Sequence, residues 1–291
     1  MRKIAENIAA TLPNLVLNAN KIAESVWAGI YSKKKTGPGE AFWQFRKYEQ
    51  GDPAHLIDWR KTSKTNEAYI QERELETIQN IVLWRDTSDS MNYCSNKNYE
   101  KKIDRANLII LSLSIILSKS GENISLNGHE EKSMRGKSAV DFIAQEIYKN
   151  ADNAYKESPS INNIKNNSLV ILVGDFLTPL SKLEEDIKKL VNKNIHAVFI
   201  HIFDPSEKSL PYKGRVNFKS EEHKTSVMIG NVESIKNDYL EKFNTHYNKF
   251  KEIIHSYSWN YISHGTNKSA TDTVRKIYHL ISNKTKLSKI K

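Results

Sequence analysis

Three short stretches of this chain are apolar at nearly every position: residues 81–84 (IVLW), 169–173 (LVILV) and 197–203 (AVFIHIF, broken only by His201). A strand with one face on water alternates apolar and polar side chains. A strand that is apolar in both registers needs cover on both faces. Helical segments stand between these runs. Residues 99–121 form an apolar helix ending at Gly121, and 181–194 carry one apolar face at Leu183, Ile187, Leu190 and Val191. Further helices are predicted over 138–150, 237–260 and 272–282, and shorter strands over 123–128 and 261–265. Neighbouring parallel strands need a crossover connection, usually a helix. The pattern therefore predicts an α/β fold with a doubly wound, mostly parallel, Rossmann-like sheet over residues 79–291.

The first 78 residues read differently. Leu15, Ala19, Ile22 and Val26 make one helical stripe, and Pro13 is expected to separate it from a shorter helix holding Ile4 and Ile8. Residues 32–40 (SKKKTGPGE) read as a linker, and no Gly-Lys-Ser/Thr follows to make a phosphate loop. Residues 41–78 are rich in aromatic and charged side chains without a sustained period. They predict extended pieces around a Gly51-Asp52-Pro53 turn. Two domains follow: residues 1–78, an N-terminal helical segment with an aromatic and charged module, and residues 79–291, the α/β domain.

Composition narrows the function classes. No apolar run reaches the length of a membrane span; the longest, 108–117, is interrupted by Ser112 and Ser114. The N-terminus lacks a signal-peptide core. The single cysteine, Cys94, cannot form an intrachain disulfide, which fits a cytoplasmic protein. The net charge of +10 is carried mostly by lysines spread along the chain, so it reads as a compositional preference rather than a nucleic-acid patch. Arginine occurs only nine times, and four of these (Arg46, Arg60, Arg73, Arg85) lie between residues 46 and 85, which suggests positions needing a planar guanidinium. Trp43, Phe45 and Trp59 are read as packing residues, with Arg46 and Arg60 paired to Asp52 and Asp58.

The apolar strands end in carboxylates: Asp86, Asp175 and Asp204. In open α/β sheets ligands bind beyond the carboxyl ends of the strands. The first loop, Asp86-Thr87-Ser88-Asp89-Ser90, has the spacing D-x-S-x-S. In a tight strand-to-helix loop, one carboxylate and two hydroxyls at i, i+2 and i+4 can turn toward one point. They are hard oxygen donors, suited to one Mg²⁺ (or Mn²⁺) ion. Asp86, Ser88, Ser90 and Asp175 are the expected ligands.

These features resemble the metal-ion-dependent adhesion site (MIDAS) of von Willebrand factor A domains, in which a threonine from a further loop normally joins the metal. The corresponding stretch here, 127–138, offers Ser133 and Ser138 but no threonine. The flanks carry a second resemblance. Phe45, Arg46 and Tyr48, then Gly51-Asp52, Ile57-Asp58-Trp59-Arg60 and Arg73-Glu74, followed later by Asp204, Pro205 and Glu207, are similar to the signature of the bacterial family called domain of unknown function fifty-eight. That resemblance covers about residues 10–282. It implies a von Willebrand-like domain without enzymatic activity. It also implies a protein-binding adaptor acting with a MoxR-type AAA+ ATPase in assembling or maturing an unknown client protein.

Two other classes are open on the residues alone. A Mg²⁺-dependent hydrolase would use the same carboxylates. However, a haloacid-dehalogenase-like pattern needs Asp where Ser88 stands, and neither Gly-x-Ser-x-Gly nor His-Glu-x-x-His occurs. Nucleic-acid binding would use the aromatic module, though no nucleic acid is expected. His196 and His201 are read as strand-edge or core histidines, and Cys94 as structural.

Overall fold

The structure, a computed structural model, describes residues 2–31, 42–49, 57–64, 67–73, 80–128, 133–149, 158–220 and 225–287. In chain order the elements are α1 (Arg2–Tyr31), β1 (Phe42–Lys47), α2 (Trp59–Thr62), β2 (Tyr69–Arg73), β3 (Asn80–Arg85), α3 (Lys102–Lys119), β4 (Asn123–Leu126), α4 (Gly136–Lys149) and β5 (Leu169–Gly174). Then follow α5 (Leu180–Asn192), β6 (His196–Phe203), α6 (Pro205–Ser209), β7 (Val216–Ser220), β8 (Thr225–Ile229), α7 (Val232–Ser256), β9 (Asn260–Gly265) and α8 (Ala270–Leu287). By packing, residues 1–28 and 79–291 form one unit and residues 29–78 another.

The larger unit is built on a five-stranded sheet in the order β4-β3-β5-β6-β9, with every pair parallel. Its two faces follow from strand alternation. Val82, Trp84, Val170, Leu172, Ala197 and Phe199 point to one face. There they pack against Leu183, Ile187 and Leu190 of α5 and Tyr247, Phe250 and Ile254 of α7. Ile81, Leu83, Ile171, Val173, Val198 and Ile200 take the opposite parity and are also buried, on the face that α3 covers. This is the doubly wound, von Willebrand factor A-like arrangement that the doubly apolar strands require. Helix α3 is buried along most of its length. Its Ser112 and Ser114 hydroxyls donate to the Leu108 and Leu111 carbonyls at 2.6 and 2.8 Å, so they cost the core little.

Two local expectations are corrected, and one element is added. Pro13 does not divide the N-terminal helix: α1 runs unbroken over Arg2–Tyr31. Proline removes one backbone donor, and a stripe anchored by the buried Ala19, Ala23 and Val26 offsets that loss. The polar stretch after β6 contains an antiparallel hairpin, β7–β8. Helix α7 begins at Val232, five residues before the predicted 237, because the Asn231 side chain caps it by accepting from the Glu233 N–H and Val232 is buried.

In the smaller unit β1 and β2 pair antiparallel, with Lys47 opposite Tyr69. Asp58 spends its carboxylate capping α2: Oδ1 accepts from the Arg60 and Lys61 backbone N–H groups at 3.0 Å each. It is therefore a helix cap, not the partner expected for the Arg60 guanidinium. Trp59 is 66% exposed, so it does not pack as expected. The Gly51-Asp52-Pro53 turn, Glu74 and the 32–40 linker lie outside the described residues. Among the described residues no helix is long and apolar enough to cross a membrane.

His201 on β6 is buried, stacked on Tyr247 with ring centroids 4.0 Å apart, and Nδ1 lies 2.6 Å from the Tyr261 hydroxyl. Burial pushes its pKa down to about 3. The unfolded chain takes up this proton near pH 6.5, so the stability His201 contributes is full above that pH and falls away as pH drops toward 3. Between pH 6.5 and 5 the loss through this residue is about 2 kcal/mol. In urea titrations across that range, His201→Phe is expected to lose correspondingly less stability than wild type. Parallel pH profiles for the two would refute the assignment.

Candidate metal centre

The sheet order sets the place of the site. From β3 the chain crosses to β4 on one side and returns to β5 on the other, so the topological switch lies between β3 and β5. Arg85 pairs with Val173, and the Asp86 N–H donates to the Val173 carbonyl at 2.8 Å. Asp86 therefore leaves its strand directly beside Gly174. A methyl group on Gly174 would stand 2.7 Å from Asp86 Cβ, so only glycine leaves room for this carboxylate.

The loop after β3 is self-braced. The Ser88 N–H donates to Asp86 Oδ1 at 2.8 Å, a 3₁₀ turn follows over Asp89–Asn92, and fully buried Met91 pins that turn to the core. The two hydroxyls converge: Ser88 Oγ and Ser90 Oγ are 3.0 Å apart, and Ser90 Oγ donates to Asp175 Oδ2 at 2.6 Å. All four predicted residues are thus brought together, with Asp86, Ser88 and Asp175 buried.

Asp175 is aimed by its own surroundings. Its carbonyl accepts from the Tyr247 hydroxyl at 2.8 Å, and its Oδ1 accepts from the Leu177 N–H at 3.3 Å. The next residue, Phe176, has φ of 52°, in the left-handed region that a bulky side chain rarely adopts. Its ring is locked among Trp84, Phe199 and Phe250, and His246 Nε2–H donates to its carbonyl at 2.9 Å. Packing of one aromatic ring thereby holds the strained turn that presents Asp175.

The site also holds an ammonium that the sequence reading missed. The Lys102 side chain is 0% exposed, and Nζ lies 2.8 Å from Asp175 Oδ2 and 2.6 Å from Glu207 Oε1. Burial works against its charge, but the two carboxylates outweigh burial and raise its pKa. Burial likewise favours protonation of Asp175, but Lys102 and the hydrogen bonds from Ser90 and Leu177 hold its carboxyl below the usual range. For Asp86 the balance is reversed: burial, and then the Asp175 charge, outweigh the Ser88 hydrogen bonds and the more distant Lys102 and push it up to about 7. A usable signal was present. Lys102, Ala106, Ile109 and Leu113 are spaced 4, 3 and 4, so this lysine lies on the buried stripe of α3.

The third carboxylate, Asp204, does not join the cluster. Its oxygens accept from the Ser206 and Ser95 N–H groups at 2.8 and 3.0 Å, and it caps α6 with Glu207 closing the capping box. Ser133 and Ser138 do not reach the site either. Ser133 lines a cleft with Asn80 and Ser168, at the amino ends of β3 and β5, and exposed Ser138 donates to the Arg135 carbonyl. Arg85 is buried, and its guanidinium bonds Asn107 Oδ1 and the Ile147 carbonyl rather than an acid. Cys94 Sγ turns back onto the Asn96 and Tyr99 carbonyls at 2.9 and 3.2 Å.

Among the described residues no group of three or more His, Cys, Asp or Glu side chains is arranged around a metal position. An ion here would rest on the hydroxyls as much as on the carboxylates. The donor set fits Mg²⁺. Hydroxyl and carboxylate oxygens are the hard donors this ion prefers, and Ser88 Oγ and Ser90 Oγ are hydrogen-bonded to each other at 3.0 Å. Ser88 and Ser90 would bind directly, and Asp86 and Asp175 directly or through water.

The family model described as "Protein of unknown function DUF58" matches residues 44–249. No curated protein matches the chain. Among solved structures, the chain is similar to a conserved hypothetical protein, BatB, from Bacteroides thetaiotaomicron. Identity is 12%, over 70% of this chain and 99% of that one, with a TM-score of 0.39. It is also similar to an aerotolerance-related membrane protein from Bacteroides fragilis NCTC 9343 carrying multiple mutations to serine. There too identity is 12%, over 70% and 99% of the two chains, with a TM-score of 0.38.

Gly174→Ala tests the close approach at the heart of the site. Overpacking against Asp86 is expected to cost about 1–3 kcal/mol in urea unfolding. Gly230→Ala, with nothing within 4 Å of the new methyl, is the control, expected to stay within about 0.5 kcal/mol. Equal stability of the two variants would contradict the geometry.

Proposed function

The chain belongs to the family described as Protein of unknown function DUF58, and on that premise we propose that it is a non-enzymatic, metal-dependent protein-binding adaptor. The observation that carries this reading is the meeting of Ser88, Ser90 and Asp175 oxygens beside the buried Asp86 at the sheet's topological switch. The D-x-S-x-S loop then acts as a MIDAS. A Mg²⁺ ion bound there would supply an open coordination position for a carboxylate of the partner. The chain's own residues do the rest. Asp86 braces the loop through the Ser88 N–H, Met91 anchors it, and Tyr247 and Phe176 fix the direction of Asp175.

The partner we propose is a MoxR-type AAA+ ATPase working in the cytoplasm on an unknown client protein, as the resemblance of the flanking motifs implies. Exposed Trp59, beside Arg60 on the capped α2 turn, supports a second contact surface in the smaller unit.

Two measurements test the reading. Calorimetric titration with Mg²⁺ or Mn²⁺ is expected to show one site in wild type and none in Asp86→Ala, with the fold of the variant checked by circular dichroism. Capture of the ATPase at constant Mg²⁺ and ATP is expected to fall at least about tenfold in Asp86→Ala and by a smaller factor in Trp59→Ala. Undiminished capture by Asp86→Ala would overturn the metal-dependent adaptor.

A further inference from the structure

Lys102 is placed where a lysine is most expensive. It is fully buried, and it opens α3, where the helix dipole disfavours a cation. Its ammonium is held by carboxylates from two distant segments, Asp175 after β5 and Glu207 in α6. The bond to Asp175 is made on Oδ2, the same oxygen that accepts from Ser90 Oγ. Ser90 Oγ and Lys102 Nζ therefore flank one carboxylate oxygen at 2.6 and 2.8 Å.

We infer that Lys102 is a positioning residue that serves as the resident cation of this site: its ammonium holds Asp175 in place before any metal arrives and sets how weakly a divalent ion binds. The inference rests on the metal reading above and extends it to the regulation of that site. A second cation placed among Ser88, Ser90 and Asp175 is repelled by the ammonium at short range in a buried setting, where Coulomb interactions are strong. Glu207 moderates this repulsion, because it draws part of the same ammonium toward α6. That turn and the residues just after it are tied to the segment following the serine loop in three further places. The Ser95 N–H donates to Asp204, Tyr93 shares a hydrogen bond with Ser206 at 2.9 Å, and Tyr93 also bonds Tyr212. The Asp204-Pro205-x-Glu207 motif thus belongs to the site through Lys102, although none of its side chains is placed to touch the metal.

The test is Mg²⁺ titration by calorimetry on the full chain, with Lys102→Met as a neutral replacement of similar length. Removing the ammonium is expected to tighten Mg²⁺ binding at least about tenfold. A lysine that merely stabilised the fold would leave the affinity unchanged or weaken it. Wild-type binding with equal or weaker binding in Lys102→Met overturns the inference and leaves the metal reading standing. No binding in either protein overturns both. Should Lys102→Met not fold, Glu207→Gln decides the matter, since it shifts the ammonium wholly onto Asp175. Weaker Mg²⁺ binding, by about threefold or more, is expected there, and unchanged or tighter binding overturns the inference.

Discussion

The backbone hydrogen bond from Asp86 to the Val173 carbonyl joins the ends of β3 and β5 at the place in the sheet where the strand order reverses. Everything at the site depends on that join. It sets a carboxylate against a glycine, with no space for any side chain between them. It also places the D-x-S-x-S loop across from Asp175, so two segments 85 residues apart share a hydrogen bond between Ser90 and Asp175. The two apolar strands make the join rigid, since both are buried on both faces and neither can slip register without moving its whole core set.

A site assembled this way concentrates negative charge in a dry place. Asp175 and Glu207 hold a single ammonium beside the buried Asp86, and the consequences are visible in how the groups titrate. Asp175, bonded to Lys102 and Ser90, is held ionised, whereas Asp86 is pushed up to about 7. Buried charge is tolerated when it is paired: the lysine accommodates Asp175 and Glu207, and the proposed divalent ion would bring further positive charge beside Asp86. The aromatic layer around Phe176, Phe199 and Phe250 carries the mechanical load by holding a left-handed turn next to Asp175.

The fold was legible because its signal is local and strong: strands such as 169–173 are apolar at every position, and only a covered parallel sheet accommodates them. Asp86, Ser88 and Ser90 were legible for the same reason, being one spaced string after one strand, and Asp175 because its strand ends the same way. What escaped was whatever depends on distant segments. Lys102 is one lysine in a lysine-rich chain, and its burial makes sense only once Asp175 and Glu207 are brought around it. Asp204 ends its strand as Asp86 and Asp175 do, but it is a helix cap, a distinction that turns on whether Ser95 and Ser206 N–H groups face it. Trp59 was read as a packing residue by its chemistry, yet on the short α2 turn that Asp58 caps it is exposed. The positive φ at Phe176 leaves no trace in composition at all, since the residue reads simply as an aromatic after a strand.

The central claim is that a hard divalent cation sits at the β3–β5 switch, held by the serine hydroxyls beside a resident ammonium. Crystals grown with Mn²⁺ and measured at the manganese absorption edge test it most directly. The account expects one anomalous peak within coordination distance of Ser88 Oγ and Ser90 Oγ, with Lys102 Nζ still bonded to Asp175 or Glu207. No peak at those oxygens under saturating Mn²⁺, or a peak at the place Lys102 Nζ now occupies, would contradict it.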